Sequence, residues 1–249
     1  MSERIYTACV LIIGNEILSG RTQDTNLQHI ALVLGEQGVR VGEARVIADV
    51  EDQIVSAVNE ARTKFDYVLT TGGIGPTHDD ITADCIAKAF GVPLVVSEEI
   101  AAVIGQRPAP AEVMESRMLM ARIPEGADLI DNPTGGPQGF CIGNVYVMAG
   151  IPSVMQGMLS TIPFAGGSVV RSCSVTAYLG ESQVATGLAV LQEEHPDVDI
   201  GSYPFSRDGR YGTTLVIRGT DTGELNEVLD RVAELIRAGG EEPVDIKRA

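Results

Sequence analysis

The sequence predicts an α/β fold: a mostly parallel sheet with helices on both faces, followed by a smaller α+β domain. Three observations carry this. Strand-like and helix-like patterns alternate from the N-terminus to Pro93. The first strand-like run, Ile5–Ile13 (IYTACVLII), is almost unbroken apolar sequence with β-branched residues, the mark of a strand buried on both faces. A Pro/Gly break, Pro163–Gly167 (PFAGG), then separates this region from a tail with a different order of elements.

Each element has its own signal. Ile5–Ile13 ends in Gly14-Asn15-Glu16, read as a loop. Asp24 or Thr25 is placed to cap a helix whose Leu27, Ile30, Ala31 and Leu34 share a face, and Gly35 and Gly38 end it. Val39–Ala48 follows as a strand. Asp49 is expected to cap a helix with Ile54, Val55, Val58 and Ala61 inward, leading into the short strand Phe65–Leu69 (FDYVL). After a glycine loop, Asp79 or Asp80 would cap a helix carrying Ile81, Cys85, Ile86 and Ala89, closed by Gly91 and Pro93. Residues 97–122 read as two helices broken at Pro108 and Pro110. Residues 124–139 read as a loop with at most a short strand at 128–130. Phe140–Ile142 and Val145–Met148 flank a Gly143-Asn144 hairpin turn, and a helix from Pro152 runs to about Thr161. Domains are expected at 1–165 and 166–249. In the second, Val169–Ala177, Glu181–Glu194, Val198–Tyr203, Tyr211–Arg218 and a helix through Leu225–Ile236 give the order β-α-β-β-α. The tail after Gly239 is expected to fray.

The stretch with most chemical content is Thr70–Asp84, TTGGIGPTHDDITAD. A strand, a glycine loop and a helix start make an anion cradle, because unpaired amides and the helix dipole both favour negative charge. Yet Asp79, Asp80 and Asp84 cluster there. Carboxylates repel phosphate unless a cation stands between them, so the combination points to a metal-bridged phosphate or pyrophosphate. The plainer alternative is a tight turn before a capped, solvated helix start. The text is neither a Walker loop nor a G-x-G-x-x-G fingerprint.

Ligands of open α/β sheets bind outside the carboxyl ends of the strands. Three strands here end in unusual loops, LII-GNE, VLT-TGGIGPTHDD and VYVM-AGIPS. If they are parallel neighbours, one crevice holds Asn15 and Glu16, the stretch Thr71, Gly72, Gly73 and Gly75, and the acids Asp79 and Asp80. The Gly150-Ile151-Pro152-Ser153 turn would add a second phosphate-friendly helix start. His78 could ligate a metal, donate to phosphate, or simply face solvent. Glu16 could bind metal or act as a base, or serve as a cap or salt-bridge partner. Asn132–Gly136 could cover a ligand or only connect.

Composition narrows the classes. The chain has 249 residues and 44% hydrophobic content, enough for real cores. Its formal charge of −16 and the lack of any Lys/Arg run exclude a nucleic-acid surface. The four cysteines stand far apart with no C-x-x-C, which reads as reduced thiols and not a disulfide framework. The N-terminal apolar run is too short for a membrane span. A soluble, cytoplasmic protein is expected.

Four separated motifs, GNEILSGRTQDTN, TTGGIGPTHDDITAD, NPTGGPQGF and VMAGIPSVM, resemble the molybdopterin-binding-like (MoaB/Mog) domain family. The likeness is greatest to the N-terminal domains of the CinA competence/damage-inducible proteins and of eukaryotic FAD synthase, and IGSYPF at 200–205 extends it. The resemblance implies a pterin or nucleotide diphosphate bound at the carboxyl edge. It further implies a pyrophosphatase acting on ADP-ribose or FAD with a divalent metal (Mg, Mn or Co), or else a non-hydrolytic binder of molybdopterin or nucleotide. Carried over, Gly72, Gly73, Gly75, Asp79 and Asp80 would hold phosphate and metal, with Glu16 and Asn26 from the first motif. Asn15 stands where many relatives have Asp. No amidase or adenylyltransferase region follows, so neither activity is expected. A homo-oligomer is.

Overall fold

A computed structural model describes residues 4–249. The chain divides into two compact units, Met1–Gly167 and Ser168–Ala249. Among the described residues, no helix is long and apolar enough to cross a membrane.

The first unit opens with β1 (Tyr6–Ile13), the short helix α1 (Asn15–Leu18), α2 (Asn26–Glu36), β2 (Val39–Ile47), α3 (Glu51–Lys64) and β3 (Tyr67–Thr71). It continues through α4 (Thr82–Phe90), β4 (Leu94–Val96), α5 (Glu98–Gly105), α6 (Ala111–Met118) and a 3-10 turn (Leu119–Ala121). The strands β5 (Arg122–Pro124), β6 (Asp128–Ile130), β7 (Gly139–Ile142) and β8 (Val145–Met148) precede α7 (Pro152–Leu159). One sheet takes the order β2-β1-β3-β8-β7-β6, and β4 pairs with β5 in a separate ribbon. The pairs β1–β2, β1–β3 and β3–β8 are parallel, whereas β7 and β6 run antiparallel. This is the expected mainly parallel sheet. Chain order reverses at β1, which lies between β2 and β3, the position where an open sheet leaves a crevice.

Both faces are covered. Cys9, Leu11 and Ile13 of β1 pack with Ile54 and Val58 of α3 and Ile86 of α4. The alternate residues Ala8, Val10 and Ile12 pack with Ile30 and Leu34 of α2 and Met155 and Leu159 of α7. Both sets of the strand are buried, which is why its sequence does not alternate.

The helix starts differ from expectation. Gly14-Asn15-Glu16 is not a loop: it turns directly into α1. Asp49 does not cap α3, whose N-cap is Val50; its carboxylate instead accepts the Asn15 amide at 2.8 Å. Neither Asp79 nor Asp80 caps α4, which begins after Ile81. Asp24 does accept amides at the start of α2, from Asn26 at 3.3 Å and Leu27 at 3.0 Å. Short polar side chains bond whichever amides lie near, and sequence position alone does not say which.

The second unit holds β9 (Arg171–Ala177), α8 (Glu181–Glu194), β10 (Asp199–Arg207), β11 (Arg210–Gly219), α9 (Thr222–Ala238) and β12 (Asp245–Lys247). Its antiparallel sheet has the order β10-β11-β9-β12. Leu215, Ile217 and Val175 pack against Val228, Leu229 and Val232 of α9. The tail does not fray: β12 pairs with β9, Asp245 opposite Thr176.

Candidate ligand-binding cleft

The cleft is built around Gly72. Its φ of 102° is a glycine conformation, and a Cβ there would fall 2.1 Å from the Ile13 carbonyl oxygen. Only glycine lets the end of β3 close this tightly on the end of β1. The Gly72 amide donates to Met148 at the end of β8 at 3.2 Å, and its carbonyl accepts from Thr82 Oγ1 at 3.0 Å. The carboxyl ends of β1, β3 and β8 thus meet at one residue, and a cavity of about 710 Å³ opens beside them.

One wall of that cavity is the glycine loop. Thr82 closes it from below, donating its amide to the Gly73 carbonyl at 2.9 Å. Among the described residues, the amides of Gly73, Ile74 and Gly75 meet no acceptor. With the first turn of α4 they offer partial positive charge to an anion. The α7 start is poorer in donors than expected, since Pro152 has no N–H and the Val154 amide is used by the Ile151 carbonyl at 3.1 Å.

Acid lies against this wall. Thr77 Oγ1 is 2.5 Å from Asp79 Oδ1 and 2.6 Å from Asp80 Oδ2, so two carboxylates meet across one hydroxyl whose single proton can serve one of them. Hydrogen bonding, first from the Thr77 side chain, holds Asp79 below the usual carboxylate range. Asp80 also accepts the Thr77 amide at 2.8 Å and folds over Gly75, whose Cβ would stand 2.5 Å from Asp80 Oδ2. Among the described residues, no three His, Cys, Asp or Glu side chains gather as a metal cage, so Glu16 does not complete a preformed set with Asp79 and Asp80. The pair does fit the other way a hard cation is held, by one or two carboxylates together with the phosphates of a ligand.

The rest of the lining comes from the 132–138 loop and the segment around β5. Asn132 shapes the loop: its Oδ1 accepts the Thr134 amide at 3.1 Å and hydroxyl at 2.6 Å, and its Nδ2 donates to the Pro137 carbonyl at 2.8 Å. Arg122 Nη2 reaches Asp84 at 3.2 Å. Arg107 and Gln138 complete this side.

Of the residues singled out from sequence, Glu16, Gly72, Gly73, Gly75, Asp79, Asp80, Asp84, Gly150, Ile151 and Pro152 line the cavity, as do Asn132, Thr134 and Gly136 of the loop expected to cover a ligand. The others stand around it without lining it. Thr71 is buried in β3, His78 and Ser153 are exposed, and the Asn15 amide is held by Asp49. Asn26 is 4% exposed and donates from Nδ2 to the Gly150 carbonyl. Sequence reading missed Asp49, Arg107, Arg122 and Gln138 as lining residues. For Asp49 the signal existed, because it follows a parallel strand on the same carboxyl edge.

Residues 9–164 match the family described as "Probable molybdopterin binding domain", and residues 169–245 match "FAD synthase, middle domain". A protein of Archaeoglobus fulgidus is 32% identical over 91% of this chain and 96% of its own length. A CinA-like protein of Geobacter metallireducens is 30% identical over 92% of this chain, which spans 58% of that relative. The solved structure of CinA from Thermoplasma acidophilum, a protein of unknown function, is similar with a TM-score of 0.58 and 35% identity, covering 62% of this chain and 94% of that one.

Proposed function

The chain belongs to the molybdopterin-binding domain family, and from that premise we propose that its cleft binds a pterin or nucleotide diphosphate and cleaves the diphosphate with the help of a divalent cation. ADP-ribose and FAD are the substrates proposed. One observation supports this above the rest: three amides that meet no acceptor among the described residues line the same cavity as two carboxylates that share one hydroxyl. The amides of Gly73–Gly75 hold phosphate oxygens. Asp79 and Asp80 cannot face that phosphate without neutralisation, and with it they hold Mg²⁺, Mn²⁺ or Co²⁺ jointly with the ligand. A cation so held polarises phosphorus and lowers the pKa of its water. Thr77 orients both carboxylates.

The want of a three-residue metal cage among the described residues favours a second reading, a binder that does not hydrolyse. The experiment is turnover of ADP-ribose and FAD with each metal and with chelator, for the wild type and Asp80→Asn. Metal-dependent cleavage that falls at least a hundredfold in Asp80→Asn, with the thermal midpoint held, is the expected result. Undiminished binding in chelator, without cleavage under any metal, assigns the chain to the binders.

A further inference from the structure

Two buried polar atoms on residues of the cleft lining have no partner among the described residues. Gln138 Oε1 and Arg122 Nε each lack a hydrogen bond, and both residues line the cavity. Residues close to each in the chain share one apolar cluster. Gln138 directly precedes β7, whose Phe140 packs in the apolar cluster that also holds Ala121 and Ile123, the chain neighbours of Arg122. The Asp84 contact at 3.2 Å fixes the guanidinium by Nη2 and leaves its Nε–H unused. Leu119 and Met120 add apolar surface beside them. A buried acceptor or donor left unpaired destabilises a protein, and such atoms in a cavity wall mark where a ligand completes the set.

Resting on the phosphate-binding reading above, we propose that this wall is the ring subsite of the cleft. It takes a flat heterocycle that carries a hydrogen-bond donor beside an acceptor on one edge, as purines, pterins and isoalloxazines do. The ring lies against Leu119, Met120 and Phe140, gives an N–H to Gln138 Oε1 and receives the Arg122 Nε–H, while the phosphates lie over Gly73–Gly75. Gln138 and Arg122 therefore set which ring is accepted, and the glycine loop does not.

The test is calorimetric titration in Mg²⁺ with probes that this cleavage chemistry cannot consume. Methylenediphosphonate carries no ring; α,β-methylene-ADP and FMN each carry one. Gln138→Leu removes the orphaned acceptor, and Arg122→Lys keeps a cation for Asp84 without the Nε donor. Each variant is expected to weaken at least one ring-bearing probe about tenfold, the cost of one hydrogen bond in a closed site, and to leave methylenediphosphonate unchanged. Gln138→Leu should also keep or raise the urea midpoint of the free protein, since it removes an unpaired atom and no bond. Equal weakening of all three probes, or unchanged affinity for both ring-bearing ones, overturns the ring subsite. A wild type that binds methylenediphosphonate as tightly as the ring-bearing probes overturns it too, while phosphate binding stands. A wild type that binds none of the three overturns the phosphate reading, and the ring subsite with it.

Discussion

Asn26 Nδ2 donates to the carbonyl oxygen of Gly150 at 2.9 Å, joining positions 124 apart in sequence. The bond ties the first turn of α2 to the loop that enters α7. Asn26 is buried, 4% exposed, whereas Gly150 stands at the surface.

Asn26→Ala should therefore cost about 1–2 kcal/mol, since a buried side chain is truncated and its hydrogen bond is lost. Urea denaturation should show a lower midpoint with an unchanged slope. Asn26→Asp, which also lacks the donor, should be no better. Two variants with wild-type midpoints would show that the bond contributes nothing in solution.

Gly72 and Gly35 should respond to alanine in opposite senses. At Gly72 the new Cβ meets a backbone oxygen at 2.1 Å and the φ is 102°, so the variant should lose more than about 3 kcal/mol or fail to fold. At Gly35, within α2, nothing lies within 4 Å of the new Cβ. Gly35→Ala should raise stability by about 0.5–1 kcal/mol through the lost freedom of the unfolded chain. Thermal and urea unfolding of the two variants side by side decides the matter.

Asp66 should make the first unit sensitive to acid. Its carboxylate accepts the Thr7 amide at 2.8 Å, the Thr7 hydroxyl at 3.1 Å and Arg4 at 2.5 Å. These bonds, the Thr7 amide first, hold it below the usual carboxylate range. A depressed native pKa means stability that is fully present above the unfolded value of about 4 and lost as pH falls through the native value. Asp66→Asn should accordingly be less stable than wild type by about 1–2 kcal/mol at neutral pH, with the gap closing in strong acid. Urea midpoints at pH 7, 4 and 2.5 measure it. A gap of constant size across that range would remove the carboxylate as its cause.

Much of the parallel sheet was legible because its strands announce themselves in different ways. Ile5–Ile13 is apolar throughout since both faces are covered, and FDYVL is short and apolar for the same reason. The Gly143-Asn144 turn marked the β7–β8 hairpin. What stayed hidden was set by long-range contacts. Whether Asp49 caps a helix or holds the Asn15 amide depends on where β1 ends, 34 positions away. The pairing of β12 with β9 is unreadable from a polar tail, and the β4–β5 ribbon rests on two three-residue segments. In the cleft, the glycine loop was visible because it needs glycine for close approach. Arg122 and Gln138 were not, because ordinary residue types enter the cavity only through the folded path of residues 119–138.

The crowding at Gly72 has a consequence for how such a cleft could be retuned. Three strand ends share that one point, so a shift in any of them would dislodge the other two, and this half of the pocket is closed to gradual drift. The Asn132 loop is held mainly by a single side chain and can be rebuilt alone. New ligand preferences, in the laboratory or in descent, should therefore accumulate on the Asn132 side while the glycine side stays fixed.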